Sequence, residues 1–116
     1  DHIDKPLIVV RTEELVSHAI ERMRKYKISQ IPVIDVTGFV GSVDEGDLFQ
    51  WYVADKDVAD KPIKDVMGEP FPIVKQGTSI EEVSKLFTRD NAAVLLELEN
   101  GTHHIITKYD IIGSIK

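Results

Sequence analysis

The chain is written twice. GFVGSVDEGDL (Gly38 to Leu48) and GTHHIITKYDI (Gly101 to Ile111) follow one template, with an offset of 63 between their leading glycines (101 − 38) and between their aspartates (110 − 47). The IPVID run (Ile31 to Asp35) falls on VLLEL (Val94 to Leu98) at the same offset. The helical stretch before it aligns once a single-residue gap is allowed, so the repeat covers almost the whole chain, with halves expected at 1–60 and 61–116. A unit this short cannot bury both faces of its own elements, so the two copies are expected to pack together and leave clefts between them.

Composition narrows the class. With 116 residues and 42% hydrophobic side chains, the chain is long enough for a real core. It has no cysteine, which excludes a disulfide scaffold and thiolate chemistry and fits a cytoplasmic setting. No apolar run approaches the roughly 20 residues that cross a bilayer, and the opening DHIDK is not a signal peptide. That opening, charged and without Met, reads as the start of a piece excised from a longer protein. A net charge of −6 argues against a nucleic-acid surface. The basic stretch Arg22 to Lys27 reads as the solvated face of a helix.

Each half reads as β-α-β-β-α. Leu7 to Val10 is short and β-branched, as a buried strand is. Thr12 is placed to cap a helix with Glu13 and Glu14 in its first turn and Leu15, Val16, Ala19, Ile20 and Met23 on its core face. IPVID and FVGSV are strands joined by a tight turn at Gly38, and a helix follows from Glu45 to Ala54. Lys56 to Lys64 reads as the link, and Ile63 to Met67 as a helical turn leading out of it. The second half repeats the order: a strand at Ile73 and Val74, a Ser79/Glu82 capping box for a helix showing Ile80, Val83, Leu86 and Phe87, a strand AAVLLEL, a hairpin turn at Asn100-Gly101, a strand HHIIT, and a last helix from Lys108.

Chemistry concentrates where the last strand meets the last helix. Thr107 there can cap the helix, and the first-turn amides point toward any anion at that end. Asp110, three residues on, offers two acceptor oxygens that suit the vicinal hydroxyls of a ribose. Taken alone the pattern is weak, because Thr-x-x-Asp is also an ordinary helix start. Lys108 reads equally as a phosphate contact or a solvated lysine. His103 and His104 adjoin on a strand and point to opposite faces, one expected exposed and one partly packed, so they do not converge on a metal. Trp51 and Tyr52 read as core or interface residues. No Gly-rich phosphate loop, metal spacing or Ser/His/Asp set is present, so no catalytic residue is assigned.

The repeated halves, the signature IPVID…GFVGSVDEGD, the link KPIKDVM and the ending HHIITKYDII together resemble a tandem pair of CBS domains, the Bateman module. DNAAVLLE and the ending are further similar to the carboxy-terminal module of pyridoxal-phosphate-dependent cystathionine β-synthases. The resemblance implies an α/β (α+β) fold of two sheets with helices on their outer faces, two clefts about a pseudo-twofold axis, and homodimers. It also implies adenosyl ligands such as AMP, ATP or S-adenosylmethionine, with no cofactor required.

Carried over residue by residue, the family's hydroxyl-x-x-Asp signature lands on Thr107 and Asp110. The base pocket of that cleft falls near Phe71, Asn91 and Ala92, with Met67 at its edge. In the first half Asp47 keeps the ribose position, while Asp44 stands where the family has Ser or Thr, and Ile28, Ser29 and Gln30 line the cleft. A carboxylate caps a helix well but repels phosphate, so the first cleft is expected to reject nucleotides. The sulfonium of S-adenosylmethionine carries no such penalty.

The resulting expectation is a regulatory ligand sensor attached to an enzyme, with no catalysis of its own. A ligand in the second cleft would bridge elements of both halves and shift their packing. The alternative is a ligand-free dimerisation module; a free-standing hydrolase is a distant third.

Overall fold

A computed structural model describes residues 7–115 of the chain, and the readings placed on residues 1–6 lie outside it. The elements run β1 (Val10–Arg11), α1 (Val16–Tyr26), β2 (Gln30–Asp35), β3 (Gly38–Asp44), α2 (Glu45–Ala54), β4 (Ile73–Lys75), α3 (Ile80–Ser84), β5 (Ala93–Glu97), β6 (His103–Thr107) and α4 (Lys108–Gly113). Two short 3₁₀ turns, Val58–Asp60 and Ile63–Asp65, stand between α2 and β4. The chain divides into two compact units, Ile8–Pro70 and one built on the residues from Phe71 onward.

Each unit holds a three-stranded sheet, in order β1-β2-β3 in one and β4-β5-β6 in the other. In both, the first pairing is parallel and the second antiparallel. The repeat is visible bond by bond. Gln30 lies opposite Asp44 and Ile31 opposite Val43, just as Ala93 lies opposite Thr107 and Val94 opposite Ile106, each 63 residues on (93 − 30, 107 − 44). β1 maps onto β4 one residue further along: Val10 pairs with Val33, and Val74 (74 − 10 = 64) pairs with Leu96. The single-residue gap expected from the sequence therefore falls between the first and second strands.

In the first unit the core is Val10, Val16, Ala19, Ile31, Val33, Val43, Leu48, Val58, Ile63 and Val66, with Ile20, Met23 and Ile28 packed against it. These positions come from one face of α1, Leu48 of α2, alternate residues of the strands, both 3₁₀ turns and Val66 just after them, and each large aliphatic side chain so buried stabilises by about 1.5–3 kcal/mol. In the second unit Phe71, Val83, Ala93, Val94 and Leu95 are buried.

Four local expectations change. The first strand is Val10–Arg11, without Leu7 to Val9. The helix after it begins at Val16 with Leu15 as an N-cap that makes no side-chain bond; Thr12 does not cap it and neither Glu13 nor Glu14 is in its first turn. The reason is tertiary: Val16 N donates to Lys61 O at 2.9 Å, so the later chain supplies the acceptor that a capping side chain would have. Lys56 to Lys64 is accordingly more than a link. Ile63 N and Lys64 N donate to Glu14 O and Thr12 O, and Val58 and Ile63 are in the core. Lastly, α3 keeps its Ser79 cap, with Glu82 N donating to Ser79 Oγ at 3.1 Å, but ends at Ser84. Beyond it Leu86 N and Phe87 N bond three residues back, to Val83 O and Ser84 O, so the chain tightens out of the α-helix.

Candidate functional site

β6 delivers Thr107 in extended conformation (φ −117°, ψ 170°), and α4 starts at the next residue. The two expected ligand-holding residues meet there. Asp110 Oδ2 accepts from Thr107 N at 2.8 Å and from Thr107 Oγ1 at 3.1 Å, bracing the helix start from its third position. That leaves Oδ1 as the carboxylate oxygen without a bond among the described residues, on an exposed side chain at the end of the sheet. One acceptor oxygen, together with the amide dipoles of the first turn, faces whatever approaches.

The remaining residues assigned to this site have structural duties. Asn91 Nδ2 donates to Leu86 O at 2.8 Å, and its backbone pairs with Thr88, closing the turn that feeds β5. Ala92 is half-buried just before the strand, and the β5/β6 register sets Ala93 opposite Thr107. Phe71 is only 5% exposed, a core residue of the second unit. Met67 belongs to the first unit, seated against Gly41 so closely that a Cβ there would lie 2.5 Å from its Sδ.

The first unit builds the corresponding corner differently. Asp44 caps α2 forward: Oδ1 accepts from Gly46 N at 2.8 Å, and Oδ2 accepts from Gln30 Nε2 at 3.2 Å. Ser29 sits beside it, its carbonyl accepting from Glu45 N at 2.9 Å. Ile28, Ser29, Gln30 and Asp44 are thus brought together at the start of α2. Asp47, on the exposed first turn, makes no hydrogen bond among the described residues. In one repeat the N-cap carboxylate of Asp44 bonds the helix start and the third-position Asp47 does not; in the other the N-cap is Thr107 and the third-position carboxylate of Asp110 does the bracing. The Gln30–Asp44 bond was missed by sequence reasoning. Its signal is the hairpin register, hidden because a bulge between Val33 and Ile34 shifts the pairing by one residue.

Elsewhere, His103 and His104 are both half-buried, which replaces the expectation that one is exposed, and His103 Nε2 lies 3.6 Å from Glu97 Oε1 across the hairpin. Trp51 and Tyr52 are exposed rather than core. Glu14, given only a place in a helix turn, instead accepts from Arg22 Nη1 and Nη2, at 2.9 and 2.7 Å, and from the Arg11 N–H. The Arg22 hydrogen bonds hold its carboxyl down at about 2, against the opposing effect of burial.

The family model for the CBS domain matches the chain twice, over residues 1–54 and 63–116. No curated protein sequence matches it. Among solved structures it is similar to the CBS-domain containing protein ATU1752 from Agrobacterium tumefaciens, at a TM-score of 0.81 and 16% identity over 94% of this chain and 84% of the other. A conserved CBS domain protein, TA0289 from Thermoplasma acidophilum, aligns at a TM-score of 0.77 and 21% identity, covering 95% and 64% of the two chains. CBSX2, solved in complex with AMP, aligns at 0.70 and 22% identity, covering 93% and 86%.

Proposed function

The chain belongs to the CBS-domain family as a tandem pair, and on that premise we propose that it is a regulatory module that senses an adenosyl ligand and has no catalysis of its own. The observation that carries this reading is the Thr107–Asp110 arrangement at the end of β6. It presents a carboxylate oxygen for a ribose hydroxyl beside the amides of a helix start, where a phosphate is favoured. The AMP complex of a protein with the same fold supports the choice of ligand class. AMP, ATP and S-adenosylmethionine are the candidates. Phe71, Asn91 and Ala92 are proposed to shape the base pocket, and Asp44, Asp47 and Ser29 the first-repeat site. Calorimetric titration with each of the three ligands is the test: saturable heat with one of them is expected, and none with any would overturn the sensing role.

A second reading, assembly through copies of the module, has its own support. α2 exposes Phe49 (61%), Tyr52 (49%) and Val53 (63%) beside a groove of about 470 Å³ lined by Ile20, Met23, Leu48 and Phe49. Apolar surface of this kind is what an interface between copies would use. The two roles are compatible in a homodimer, and light scattering tests the assembly directly. The likeness of DNAAVLLE and HHIITKYDII to cystathionine β-synthase makes that lyase, a cytoplasmic enzyme in this reading, the attached protein we propose. Restoration of ligand response when the module is joined to a lyase lacking its own is the check. Among the described residues no helix is long and apolar enough to cross a membrane.

A further inference from the structure

β1 is an edge strand: its sheet runs β1-β2-β3, and its far side has no strand partner among the described residues. The outward backbone groups of such an edge are a template for pairing with another chain. Here side chains from α1 and the turn before it have taken them. Glu14 Oε2 accepts from Arg11 N at 2.8 Å, and Arg22 Nη1 donates to Val9 O at 3.2 Å. The two side chains are bound to each other through Arg22 Nη1 and Nη2, which fixes them over the edge, and His18 Nδ1 lies 3.4 Å from Glu14 Oε1. An open cleft of about 430 Å³ adjoins the pair, lined by Glu14, His18, Glu21, Arg22, Lys25 and Tyr26 of α1 and the turn before it.

The device belongs to one repeat only. Glu14 and Arg22 correspond, 64 residues on, to Thr78 (78 − 14) and Leu86 (86 − 22), and Thr78 turns back to its own strand, donating to Lys75 O. The pair is therefore not demanded by the repeat template. We propose that Glu14 and Arg22 form an edge guard, which keeps β1 from pairing with the β1 of a second copy by occupying the Arg11 N–H and the Val9 carbonyl.

Replacing both residues by alanine (E14A with R22A) leaves no unpaired charge and bares the edge. The double variant is expected to shift to a higher mass than wild type by light scattering at equal concentration, with the Arg11 amide protected from hydrogen exchange in the assembly. Adding Arg11→Pro removes the outward N–H at an edge position that tolerates proline, and is expected to return the mass to that of wild type. A double variant that keeps the wild-type mass overturns the proposal. So does association that survives Arg11→Pro, since that comes from general exposure of apolar surface. Should the double variant not fold, Arg22→Ala alone bares Val9 O and is read by the same two criteria.

Discussion

Asp110 Oδ2 accepts hydrogen bonds from both the backbone N–H and the hydroxyl of Thr107, so the residue proposed to hold a ribose is also a strut of the helix that carries it. Binding and local stability are coupled at this carboxylate. At the corresponding corner of the other repeat, Asp44 does the capping and Asp47 is released from it.

Asp110→Ala therefore has two expected effects. Loss of a charge-assisted bond to ribose and of the ordered helix start costs about 3 kcal/mol of binding, on the order of a hundredfold in affinity. Loss of the brace costs about 1 kcal/mol of stability, where a purely ligand-facing side chain would cost none. Titration with AMP alongside denaturant unfolding of both proteins measures the two. Unchanged affinity with lowered stability would reduce Asp110 to a capping residue.

Asp44→Thr keeps a capping oxygen at the start of α2 and removes the charge. A phosphate about 4 Å from that charge meets roughly 1–4 kcal/mol of repulsion, depending on solvent access. The variant is expected to gain nucleotide binding in the first repeat by about fivefold or more, read as added stoichiometry with AMP, while adenosine binding is unchanged. An equal change for AMP and adenosine would show that charge is not the determinant.

Stability should fall at acid pH through Glu14. Its carboxyl titrates at about 2 in the folded chain against 4.5 ordinarily, so its contribution is present above the unfolded value and is lost as pH falls from 4.5 toward 2. With side chains 23% and 34% exposed, solvent screening reduces this to about 1–2 kcal/mol. Unfolding free energies measured across that window should decline more steeply in wild type than in Arg22→Ala. Parallel curves would count against the pairing.

Gly41→Ala should destabilise by about 1–3 kcal/mol, because the new Cβ would stand 2.5 Å from Met67 Sδ and 3.0 Å from Gly68 O. Met67→Ala in the same chain should recover only part of the loss. It clears the sulfur, while the Gly68 carbonyl is held in place by the Ser42 N–H at 3.1 Å. Full recovery would mean that the backbone contact costs nothing.

The amino-acid sequence by itself determined the repeat, the β-α-β-β-α order of each half and the place of α2, because periodic apolar residues, Gly38 and Gly101 at positive φ, and the Ser79 cap are local signals. It also determined which residues stand at the starts of α2 and α4, since the offset of 63 sets Asp44 on Thr107 and Asp47 on Asp110. Tertiary structure alone decided what those residues do. The bulge at Val33/Ile34 sets Gln30 opposite Asp44, turning a lining residue into a partner of the cap. Lys61, distant in sequence, supplies the acceptor that made Thr12 unnecessary as a cap and left Glu14 available to Arg22. Propensity and spacing say where a side chain begins, but a hydrogen bond goes to whichever donor or acceptor the packed chain brings within about 3 Å, and that choice is made only after distant segments have met.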